Sequence, residues 1–341
     1  MISDIESKKP LPPNPYRVTD QVDLHGAYNE CLNHEREAMN SEGGDKEVIN
    51  ARCLGYLLLE APCEEGRDSV AAQIIGCEGY QGRSNLAVGY IEHMFRFFRG
   101  SKGETPAAYD SCPVDSASQS HQSAKYAALK RDGYRCMVTH CPDSMVWDLP
   151  ALRASLGIGD EGTMVTNFWH IFPDPPSTND TMENPNKKSY AYAELAWKYV
   201  KVFGGFNALQ ELQGAGTHRL SNGLTLSLNV RAEFDELNVW FEEAQEGHPA
   251  NTYFIKSTMP FAYVPSSTTP VTFVSHDPRL ELPDPKYLKL HAAVCRVAHL
   301  SGAAEYMNQH DRDIENLSFL ASDGSSANLF AAHLERTVEA Y

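Results

Sequence analysis

Thr163-Met164-Val165-Thr166-Asn167-Phe168-Trp169-His170-Ile171-Phe172-Pro173 is the stretch on which the fold of this chain turns. β-Branched and aromatic residues dominate it, so the composition predicts a strand over Thr163 to Phe172. Its one titratable side chain is His170. A histidine between Trp169 and Ile171 is either a satisfied core residue or a group placed for chemistry near neutral pH. The neighbouring segments decide between these.

Upstream, a short helix over Gln122 to Lys130 leads into Arg131-Asp132-Gly133-Tyr134-Arg135-Cys136, and Cys136 to Thr139 has strand composition. Downstream, Asp174 to Lys188 is a polar, proline-rich loop whose Asp174, Asp180 and Glu183 read as solvated. A helix is expected over Tyr190 to Phe203, with breaks at Gly204-Gly205 and Gly214 to Gly216. His218 follows; it either approaches His170 or, the commoner case, is a solvated loop histidine. Asn222-Gly223 is a turn dipeptide. Asn229 to Gln245 reads as an amphipathic helix with Phe234, Leu237 and Phe241 on one side.

Further out, Met1 to Arg17 is polar and proline-bearing and reads as a loose leader. Helices are expected from Thr19-Asp20 through Leu24, Tyr28 and Leu32, over Asp45 to Glu60, over Ser69 to Ile75, and after a cap at Ser84-Asn85. Gly100 to Gln119 reads as a linker. Beyond Gly247 the composition turns to β at Thr252 to Ile255 and Val271 to Val274, with a last helix over Tyr287 to Met307.

Lys plus Arg number 29 against 45 Asp plus Glu, a formal net charge of −16, with no basic run longer than a dipeptide. Such a chain gains little from counterion release, which argues against tight binding of duplex nucleic acid. No run of 18 apolar residues and no secretory h-region is present, so the chain reads as cytoplasmic with no membrane partner. The eight cysteines are scattered and read as reduced and mostly buried. Cys136 and Cys141 lack the second pair that a four-thiolate zinc site needs. His291, Cys295 and His299 share one helix face, a spacing open to a metal but more often core.

Three motifs in order, "RDGYRCMVT" (131–139), "HIFP" (170–173) and "SNGLTL…FD" (221–235), resemble the HNH nuclease superfamily, in particular fungal HNH nuclease-domain proteins. The "HQSAK" (121–125) and "LHAAVCRVAHLSGAAE" (290–305) segments extend the resemblance from roughly Gly82 to Gly324. It implies a ββα-metal unit in which His170 is the general base that deprotonates water, Asn222 orients it, and ligands near the helix hold a divalent metal, Mg or Zn. Two positions depart from the pattern. Arg231 stands where a histidine ligand is expected, and Trp169 stands where an acidic ligand is common. Arginine offers only donors and indole is no useful ligand, so Asp235 alone is left to bind a metal. Arg231 then either binds an anionic group itself or pairs with Asp235 at i, i+4.

The expected architecture is α+β. It comprises a flexible leader (1–18), a helical region and linker (19–120), an HNH-like ββα unit with a long insertion at 171–221 (121–246), and a mixed α/β extension packed on the core (247–341). Cys136 to Thr139 and Met164 to Ile171 are expected to pair antiparallel, with the helix from Asn229 packed across them. The expected function is a hydrolase of nuclease descent with His170, Asn222 and Arg231 as catalytic residues and a degraded metal site at Asp235. The alternatives are an enzyme using His170 as acid or base on an anionic small molecule, as in fungal secondary metabolism, or a non-catalytic binding protein.

Overall fold

The computed structural model describes residues 7–41, 44–99, 116–173, 187–213 and 218–317. Four N-terminal helices come first: α1 (Val22–Asn40), α2 (Gly44–Leu59), α3 (Glu64–Ile75) and α4 (Gly79–Gly89). The last runs on through a π-helical turn, Tyr90–Phe95, to Phe98. Ser84 therefore sits inside a helix and not at its cap; its hydroxyl donates to Glu47 Oε1 at 3.0 Å, tying α4 to α2. The chain resumes with α5 (Ser116–Arg131), which includes the end of the expected linker; residues 100–115 lie outside the described ones.

The strand expected at Cys136 to Thr139 is instead a tight turn. Cys136 N–H donates to Cys141 O and His140 N–H to Cys136 O, while Tyr134 and His140 take left-handed φ values of 59° and 56°. Two such residues so close together curl the chain back before a ladder can form. After a short helix α6 (Pro150–Ser155) comes β1 (Thr166–His170). Its partner is β2 (Gly223–Ser227), reached through α7 (Lys187–Gly204) and α8 (Ala208–Leu212). The acidic loop residues Asp174, Asp180 and Glu183 lie outside the described residues.

The expected helix over Asn229 to Gln245 divides in two. Helix α9 (Leu228–Asp235) stops at Leu237, whose φ is 62°, and β3 (Val239–Glu243) begins two residues later. Phe234, Leu237 and Phe241 are all buried, as their spacing implied, but they serve two elements. β3 pairs antiparallel with β4 (Thr252–Ser257), and β4 with β5 (Pro270–Thr272). This sheet straddles the boundary expected at 246. The final helix is also two, α10 (Pro285–Ser301) and α11 (Ala303–Leu317), broken at Gly302 with φ 89°.

The result is an α+β fold. One apolar core runs from Leu11 through the N-terminal helices, α7, both sheets and α10 to Met307. Residues 7–17 are not a loose leader. Lys8 and Lys9 N–H groups donate to His299 and Leu300 carbonyls at the end of α10, and Leu11 is buried. Among the described residues no helix is long and apolar enough to cross a membrane. All seven described cysteines are free, and Cys31, Cys53, Cys136 and Cys295 are buried.

Candidate functional site

The β1–β2 pair and α9 form a strand–strand–helix unit, with the long insertion joining the two strands. The register sets Thr166 opposite Ser227 and His170 opposite Gly223. Gly223 is required there: a Cβ would lie 1.9 Å from Phe168 Cε2, so only glycine lets that ring cross the partner strand. Alternation along β1 puts Phe168 and His170 on one face and Trp169 on the other. The first face is covered by α5, through Ala124 and Ala128 against Phe168 with Leu220 beside them. The second is covered by α9.

On the α5 face, the His170 ring meets Phe168 edge-on at 5.1 Å between centroids. Its Nε2 lies 3.3 Å from His218 Nδ1. One of these nitrogens must donate and the other accept, so the two imidazoles are linked through a single proton. The sequence pointed to His170 and favoured a solvated His218 over one that approaches the site; they are 48 positions apart, and the closing of the insertion brings them together.

Asn222 is fully buried beside this pair. Its carboxamide oxygen accepts from Phe172 N–H at 2.9 Å, its Nδ2 donates to Phe172 O at 3.0 Å, and its own carbonyl accepts from Ile171 N–H at 2.8 Å. Asn222 thus clamps the main chain immediately after His170.

On the opposite face, Arg231 lies with Cζ 3.5 Å from the centroid of the Trp169 ring, a cation–π contact. Its Nε is 3.5 Å from Asp235 Oδ2. Asp235 also accepts a hydrogen bond from Trp169. Burial pushes the Asp235 carboxyl up to about 7, against the downward pull of Arg231 and Trp169. The two positions that depart from the expected pattern therefore meet, and together with Asp235 they satisfy one another. Arg231 and His170 do not share a pocket; they lie on opposite faces of β1.

A divalent ion fits this donor set poorly. At 169, 231 and 235 there is one carboxylate, already engaged by two donors, and a fixed positive charge beside it. No cluster of three or more His, Cys, Asp or Glu side chains placed to hold a metal occurs among the described residues. His291, Cys295 and His299 belong to the core. His291 stacks on Phe234 at 3.9 Å and burial lowers its pKa to about 3. Cys295 Sγ lies 3.6 Å from His291 Nδ1, and His299 Nε2 donates to Leu237 O at 3.0 Å.

Compared with protein-family models, curated proteins and solved structures, the chain matches none.

Proposed function

We propose that this protein is a hydrolase-like enzyme of HNH descent in which His170 and His218 act as an acid–base pair on an anionic small molecule, without a resident metal. The observation that carries this reading is the 3.3 Å contact between the two imidazoles at the end of β1. For a phosphodiester, the neutral imidazole takes a proton from water as its oxygen attacks phosphorus. The P–O bond to the leaving group breaks, and the protonated imidazole gives its proton to the departing oxygen. Arg231, stacked and paired on the far face, has no part in the step; its interactions support a structural role in place of a metal ligand. The ββα order supports nuclease descent. The net charge of −16 supports a small cytoplasmic substrate over duplex DNA.

The test is hydrolysis of an activated phosphodiester such as bis(p-nitrophenyl) phosphate in the presence of EDTA. His170→Asn and His218→Asn should each lower the rate about 100-fold or more. A rate abolished by EDTA restores the metal-assisted mechanism, and a rate untouched by either variant removes these histidines from the chemistry.

A further inference from the structure

Arg131 opens the Arg131-Asp132-Gly133-Tyr134-Arg135-Cys136 motif, and its side chain is completely buried. A guanidinium carries five N–H donors and no acceptor, so burying it without loss takes five acceptors set around one plane. All five are present. Nε donates to Asp132 Oδ1 at 2.7 Å; one terminal nitrogen donates to Asp132 Oδ2 at 2.8 Å and Gly223 O at 3.0 Å; the other donates to Leu220 O at 2.8 Å and Glu281 O at 3.2 Å. Asp132 alone would neutralise the charge. The three carbonyls do something else.

Gly223 is the cross-strand partner of His170, and Leu220 lies two residues after His218. Between them sits Asn222, with its clamp on Phe172. The third carbonyl, at Glu281, belongs to the C-terminal part of the chain, which ties into the same turn again where Asp284 N–H donates to Ser221 O at 2.8 Å. The turn that follows one histidine and faces the other is held at both ends by a single planar group. Buried ion pairs stabilise little by themselves, whereas a rigid fork of donors fixes geometry.

We infer that Arg131 is the positioning residue of the His170–His218 pair: by gripping Leu220 and Gly223 it sets the separation of the two imidazoles. The inference rests on reading that pair as the working groups. Lysine cannot replace it, because an ammonium offers three donors at one point and cannot span carbonyls three residues apart while holding a carboxylate.

The experiment uses ¹⁵N-histidine-labelled full-length protein, with the His170 and His218 signals assigned from His170→Asn and His218→Asn. In Arg131→Lys the imidazole signals of His170 and His218 should move to the positions each shows when the other is replaced. The His291 signals, from the core, should stay in place and report an intact fold. Where the parent hydrolyses a phosphodiester, kcat should fall about 100-fold with KM little changed. His170 and His218 signals unmoved in a folded Arg131→Lys protein overturn the inference.

The unaltered protein supplies a second arm, which decides if that variant does not fold. Separate, slowly exchanging guanidinium protons of Arg131 with Overhauser contacts to Leu220 and Gly223 support the inference; one averaged, rapidly exchanging signal overturns it. Coupled histidine signals in a parent without hydrolytic activity overturn the functional reading and leave the positioning role standing.

Discussion

At the scale of single residues, one half-buried and one fully buried titratable group pull stability in opposite directions with pH. Asp235 ionises at about 7 in the fold and near 3.8 when unfolded, so between these values the folded state binds more protons. Its contribution is complete below about pH 4 and is lost as pH rises to 7. His291 is the reverse: about 3 folded and 6.5 unfolded, so its contribution is complete above pH 6.5 and is lost as pH falls toward 3. Asp235→Asn should gain stability relative to the parent as pH rises from 4 to 7, and His291→Leu should gain as pH falls from 6.5. Urea melts across pH read both; a variant curve parallel to the parent's shows that the group titrates alike in both states.

The same corner gives a second prediction. Trp169→His with Arg231→His should create, with Asp235, a three-ligand set that binds Zn²⁺ at micromolar or tighter affinity by calorimetry, because imidazoles supply the lone pairs that indole and guanidinium lack. Comparable zinc binding by the parent, lost in Asp235→Asn, would show that Arg231 is only a neighbour of a working metal site.

At the scale of elements, the breaks matter as much as the helices. Gly302 ends α10 with φ 89° and lets α11 turn away, and its N–H donates to His299 O. A Cβ there would also meet Lys8 Cγ at 2.9 Å. Gly302→Ala should cost at least about 1 kcal/mol through the left-handed backbone alone, read as a lower urea midpoint at unchanged slope. An unchanged midpoint would mean that α10 and α11 can run on as one helix. The small, apolar run from Tyr287 to Met307 showed helix clearly; the reversal at 302 was hidden because glycine also occurs inside closely packed helices.

At the scale of the whole molecule, the N-terminal strap closes the fold. Leu11 N–H donates to both Glu35 carboxylate oxygens at 3.3 Å, and Arg52 joins Glu35 at 2.6 Å and the Lys8 carbonyl at 2.9 Å. The Leu11 side chain fills the space over Gly55, where a Cβ would come within 2.5 Å of it. Leu11→Ala should lower stability by about 2 kcal/mol and expose residues 7–17 to protease before the core yields. Equal protease resistance in the variant would show that the polar ties suffice. With a net charge of −16, affinity for random duplex DNA at physiological salt should be weaker than micromolar by fluorescence anisotropy. Submicromolar, steeply salt-dependent binding would reveal a basic cleft and favour the nuclease reading.

The sequence by itself determined the α+β class, the helical N-terminal region, a strand that carries His170, and the pairing of Arg231 with Asp235 as one of two open choices. These are local: apolar period, composition and an i, i+4 spacing act over a few residues, and the chain carries them wherever it folds. Tertiary structure alone decided that β2 is Gly223–Ser227 and not the segment after Arg135. It also placed His218 against His170 and buried Arg131 against the turn from Leu220 to Gly223. Strand partners and buried donors are chosen by which distant carbonyls and faces remain to be satisfied. Gly223-Leu224-Thr225-Leu226-Ser227 is buried throughout, so it lacks the polar alternation that marks a half-exposed strand, and its Asn-Gly start resembles a turn. What makes it a strand is Phe168 lying across Gly223 and β1 offering it a ladder.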